Sequence, residues 1–166
     1  MLTTGLDLIP GMTGSNGNTA TAGNDLIIGI ASAGTTATLQ GTDQIDAGEG
    51  TDTLKVISDV GGAIAVNTVS NVEVIEVRSS AADTIDTTTV AGLTNLNVTS
   101  ATGGSFGATA ATTTDVSVSG ATGAIAVDGG MNVVVTDATA AKNITIGAAT
   151  VNAGTITVTD SKQDAG

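Results

Sequence analysis

The chain has no cysteine, histidine, tryptophan or tyrosine, one aromatic ring in Phe106, one proline, and four basic residues against sixteen acidic ones. Each shortage removes a class of chemistry. Without Cys there is no disulfide framework and no thiol nucleophile, and without His there is no imidazole base; the two together remove the usual zinc sites. Hard oxygen ligands are the metal chemistry that remains. A formal charge of -12 repels phosphate backbones, and a single ring offers no platform for stacked bases. No nucleic-acid partner is expected. A carboxylate pair for glycoside cleavage, or a polysaccharide-lyase site, would lack its aromatic and cationic sugar contacts, so no enzyme is expected either. No apolar run approaches the roughly 18 residues of a membrane span. The opening Met1-Leu2-Thr3-Thr4-Gly5 lacks the basic and apolar regions of a secretion signal. The expectation is an excised fragment or a protein exported without such a signal.

What is there is small and weakly charged. Thr (31), Ala (25) and Gly (23) make up nearly half of the 166 residues, and the apolar 40 % is mostly Ala, Val, Ile and Leu. With 12 % charged residues and a mean hydropathy of +0.33, the chain is too apolar for a solvated disordered segment. These figures predict an ordered β protein with a thin core.

Self-similarity organises the first third. Gly-x-Asp-x-(Ile/Leu) occurs at Gly5-Leu-Asp7-Leu-Ile9, Gly23-Asn-Asp25-Leu-Ile27, Gly41-Thr-Asp43-Gln-Ile45 and Gly50-Thr-Asp52-Thr-Leu54, with the glycines 18, 18 and 9 residues apart. The nine-residue step matches the repeat Gly-Gly-x-Gly-x-Asp-x-U-x, whose glycines make a turn of converging carbonyls, whose Asp adds a carboxylate, and whose apolar U points inward. Two such half-turns make one full coil. On that spacing Asp7, Asp25 and Asp43 line one edge, and Asp52 lies on the opposite one.

The best copy is Ala47-Gly48-Glu49-Gly50-Thr51-Asp52-Thr53-Leu54-Lys55, preceded by Asp43-Gln44-Ile45-Asp46. Asp43, Asp46, Glu49 and Asp52 crowd four carboxylates into ten residues, with Lys55 as counter-charge, and unneutralised they repel one another. Ca²⁺ answers that repulsion, because it accepts irregular sets of six to eight oxygens where Mg²⁺ demands an octahedron. The candidate ligands are Asp7, Asp25, Asp43, Asp46, Glu49 and Asp52, with turn carbonyls from Gly23, Gly41, Gly48 and Gly50. Asp83 and Asp86 repeat the Asp-x-Ile-Asp spacing without flanking glycines, and are candidates for metal binding or for turn capping.

Past residue 57 the motif stops. Short β-branched runs follow at 63–66, 72–77, 96–98, 116–118, 124–127, 133–135, 144–146 and 156–158, several alternating with period two. Evenly spaced short strands stack well as a solenoid. The expected fold is all-β, a right-handed parallel β-solenoid with β-roll-like coils over 1–57 and Thr/Ala/Gly/Val-rich strand repeats over 58–166. The alternative for the second part is a small immunoglobulin-like sandwich.

The run from Asp43 to Leu54 resembles the RTX calcium-binding repeats of bacterial proteins exported by type I secretion. The stretches Val66-Asn-Thr-Val-Ser-Asn-Val-Glu-Val-Ile-Glu-Val-Arg78 and Leu93-Thr-Asn-Leu-Asn-Val-Thr-Ser100 are similar to repeats of bacterial surface-layer proteins. The resemblance implies an extracellular, calcium-dependent solenoid at the bacterial cell surface that assembles with copies of itself. It also implies cell-surface polysaccharide as a partner of parts of a longer parent chain. Two further functions are compatible with the sequence: a stalk segment of a secreted adhesin, and an ice-binding solenoid presenting Thr ladders such as Thr155-Ile-Thr157-Val-Thr159.

Overall fold

The computed structural model describes residues 8–9, 20–137 and 143–160. It is a right-handed parallel β-solenoid with no helix among the described residues. One face is a seven-stranded sheet of β2 (Leu26–Ala31), β4 (Thr53–Ser58), β7 (Val74–Ser79), β9 (Asn95–Ala101), β11 (Asp115–Ser119), β13 (Val133–Asp137) and β15 (Ile156–Asp160), stacked in chain order. The second face carries β5 (Ala63–Ile64), β8 (Asp83–Asp86), β10 (Phe106–Ala110), β12 (Ile125–Gly129) and β14 (Ile144–Ile146). A short third face holds β1 (Leu8–Ile9), β3 (Gln44–Asp46) and β6 (Val69–Ser70).

Period-two alternation builds the core. In the seven-stranded sheet the inward row Ile27, Leu54, Ile75, Leu96, Val116 and Val133 stacks in register, and so do Val56, Val77, Val98, Val118 and Val135 in the next row. All of these are buried. Across the interior Ile64, Ile85, Ala108 and Val127 form the facing row, and Phe106 supplies the one buried ring. Such ladders of like side chains give each coil a partner above and below, which is how small residues make a continuous core.

Coil length departs from two uniform nonapeptide half-turns. Leu26 pairs with Thr53, Thr53 with Val74, Val74 with Asn95, Asn95 with Asp115, and Val116 with Val133. Residues at equivalent corners are 27 apart at Asp25 and Asp52, 21 apart at Asp52 and Glu73, and 17 apart at Asp115 and Asn132. The first coils carry the third face, which ends at the isolated bridge between Ser70 and Ala91; beyond it the step is 17 residues at Asp115 and Asn132 and 23 at Asn132 and Thr155. The sheet runs from β2 through β4 into β7 without interruption at residue 57. The sandwich alternative is not adopted, since every strand pair among the described residues is parallel.

A candidate cation-binding edge

The register redistributes the four Gly-x-Asp-x-(Ile/Leu) copies. Ile27 lies in line with Leu54 on the seven-stranded sheet, whereas Ile9 lies in line with Ile45 on the third face. Asp25 and Asp52 therefore share one edge and Asp43 stands on another, which corrects the expected line of Asp7, Asp25 and Asp43 opposite Asp52. The cause is the pairing of β2 with β4 along their whole length: burying two full inward rows outweighs a nine-residue phase carried by Gly and Asp alone. Asp7 lies outside the described residues.

At the start of the seven-stranded sheet three acidic residues follow one another coil by coil: Asp25 before β2, Asp52 before β4 and Glu73 before β7. The Asp25 N–H donates to Asp52 Oδ1 at 2.7 Å, and the Asp52 N–H donates to Glu73 Oε2 at 2.8 Å. Asp25 in turn accepts from the backbone N–H and the hydroxyl of Thr21 at 2.6 and 3.0 Å. Asn24 Oδ1 accepts the Thr51 N–H at 2.9 Å, so neighbouring corners are stitched by side chain to backbone. Gly50 allows the close approach: at φ +135° it occupies backbone space open to glycine, and a Cβ there would sit 2.5 Å from the Gly23 carbonyl oxygen.

Asp52 is fully buried, and its Oδ2 has no hydrogen-bond partner. Burial pushes its carboxyl above the ordinary carboxylate range; the charges of Glu73 and Asp25 push the same way, against the Asp25 N–H, which favours the anion. Lys55, the expected counter-charge, instead lies 3.8 Å from Glu76 on the outer face of the sheet.

The remaining candidates separate. Asp43 is buried and accepts the Gln40 N–H at 2.7 Å. Asp46 Oδ1 accepts from the Gly48 N–H and, at 2.7 Å, from the Asn71 amide of the next coil. Glu49 is exposed, as is Gly41. Asp83 is buried; its Oδ1 accepts from the N–H groups of Gly61 and Gly62 and its Oδ2 from the Ser79 hydroxyl, which is turn capping. Asp86 accepts from the Thr88 N–H and hydroxyl at 3.0 and 2.7 Å, and these bonds hold its carboxyl below the ordinary range.

Sequence reasoning missed Glu73. Its signal lies in the same frame as the other two: Asn71-Val72-Glu73-Val74-Ile75 stands where Gly50-Thr51-Asp52-Thr53-Leu54 stands one coil before, and Asn71, at φ 51°, fills a left-handed corner as Gly50 fills its own positive-φ corner. The frame is hidden because Asn replaces Gly and Glu replaces Asp. The same sheet edge continues with amide chemistry, since the Asn132 side-chain amide donates to Asp115 Oδ1 at 2.8 Å and its Oδ1 accepts from the Thr155 N–H at 3.1 Å.

As a cation site this edge has one direct point of fit, the orphaned Asp52 oxygen among acidic neighbours. Among the described residues, no three His, Cys, Asp or Glu side chains are gathered as a ready-made metal centre. No family model, curated protein or solved structure matches this chain. Among the described residues no helix is long and apolar enough to cross a membrane.

Proposed function

We propose that this protein is a structural, self-assembling solenoid of the bacterial cell surface, a surface-layer or matrix segment whose folding and contacts between copies depend on calcium. The observation that carries the reading is the fold together with its charge: a parallel β-solenoid of stacked small-residue ladders that carries sixteen acidic residues against four basic ones. Stacked coils make a rigid repeating scaffold, and a surplus of carboxylates gives copies of it a common need for divalent cations where they meet.

Charge sets the condition for it. At -12 the copies repel one another, and a screening length of roughly 10 Å at 0.1 M salt relieves that only in part. Divalent ions bound at acidic corners neutralise the surface locally. The resemblance to RTX and surface-layer repeats supports the same reading, and a composition without His, Cys or Tyr supports a non-catalytic role.

Light scattering tests it. Particle size should grow in CaCl₂ and stay small in NaCl of equal ionic strength. Equal sizes in the two salts, or a monomer at high concentration with calcium present, would replace the lattice by an isolated stalk.

A further inference from the structure

We propose that Asp52 Oδ2 anchors a divalent-cation site at the corner where the coils enter the seven-stranded sheet, flanked by Asp25 of the preceding coil and Glu73 of the following one. This deepens the calcium part of the reading above and rests on it. It names a site that the repeat motif does not contain, because Glu73 lies outside every Gly-x-Asp-x-(Ile/Leu) copy and the three residues follow the unequal lengths of the first coils.

A buried carboxylate oxygen left without a donor is costly, and proteins seldom leave one so. Asp52 has spent Oδ1 on the Asp25 N–H, and the charged groups acting on it are two further acids. The neighbourhood is thus short of positive charge at the point where an acceptor is free.

The backbone does not meet that shortage. The Asp52 N–H is committed to Glu73 Oε2, the Thr53 N–H to the Asp25 carbonyl, and the Glu73 and Val74 N–H groups to the Asp52 carbonyl. A cation supplies charge without needing a donor proton. Calcium suits the corner because it combines carboxylates with carbonyls and water in irregular sets, so the flanking acids need not converge as a compact triad. Bound there, one ion would join three successive coils by their charge and fix the shortening from the first coil step to the second.

The test uses the full chain, with CaCl₂ as the probe, in calorimetric titrations and in melts with EGTA or calcium. Asp52→Asn keeps the Oδ1 acceptor for the Asp25 N–H, and Glu73→Gln keeps an acceptor for the Asp52 N–H, so both corners can still form. Asp52→Asn should melt no lower than the parent in EGTA, because it removes a buried charge, and should lose the upward shift that calcium gives the parent. Glu73→Gln should weaken calcium binding by roughly tenfold or more. Asp128→Asn, on the second face with its Oδ1 on the Ala149 N–H, should bind as the parent does. If both edge variants take up calcium like the parent, the site is wrong, even where calcium still drives assembly from elsewhere. If the parent itself shows no calcium response, the site falls together with the calcium dependence.

Discussion

The Asp25 N–H donates to Asp52 Oδ1 at 2.7 Å although 27 residues separate them. The bond joins two copies of one motif across a complete coil, in the register that lays Ile27 over Leu54. It also uses one oxygen of a buried carboxylate and leaves the other free, so the contact that aligns the first coils is the one that creates the electrostatic demand at this corner.

Gly50→Ala should destabilise the protein by about 1–3 kcal/mol from backbone conformation alone, with the collision against the Gly23 carbonyl added to it. Gly62→Ala is the control, since its φ is ordinary and a Cβ there meets nothing within 4 Å. Denaturant unfolding of the two variants gives the comparison. Equal midpoints would mean that the Gly50 corner does not hold the first coils together.

Leu96→Ala should cost about 2–5 kcal/mol, because Leu96 is wholly buried in the middle of the inward row, between Ile75 and Val116. Ile156→Ala removes a similar side chain from the same row at its half-exposed end, and should cost under about 1 kcal/mol in the monomer. Chemical denaturation of the two variants decides this.

Asp86 gives the pH dependence. The Thr88 hydroxyl and N–H stabilise its charged form, so its folded pKa lies below the ordinary value of 3.8. A lowered acid pKa adds stability that is complete above the ordinary value and is lost as pH falls through the folded one. The window therefore lies below pH 3.8. Asp86 is exposed, so solvent screening keeps the effect on global stability small. An NMR titration should find the Asp86 midpoint below 3.8 and find it moved upward in Thr88→Ala; an unmoved midpoint would assign the shift to another cause.

Several elements were legible from local pattern. The runs at 116–118, 144–146 and 156–158 each fall within or on a strand, because alternation of Val or Ile with small polar residues is a direct signature of a half-buried strand. β10 was not legible. Phe106-Gly-Ala-Thr-Ala110 carries one large side chain, and its inward Ala108 and Ala110 become core only because Ile85 and Val127 stack on either side of Ala108 and Gly129 beside Ala110. The acidic corner was legible in its parts and not in its assembly: Asp25 and Asp52 stood out as motif residues, while Glu73 joined them only through the pairing of β4 with β7.

The sequence by itself determined the class of the molecule. A chain rich in Thr, Ala, Gly and Val, with one ring and short alternating strands, can bury its apolar rows by stacking coils and has too little bulk for broad layers. The tertiary structure decided which copies of the repeat meet. Register depends on the match of whole inward rows along paired strands and on how many faces each coil must cross, and neither quantity is carried by a five-residue motif. For that reason Asp25 stands with Asp52 and Glu73, Asp43 caps a separate corner, and the buried carboxylate oxygen without a partner lies at Asp52.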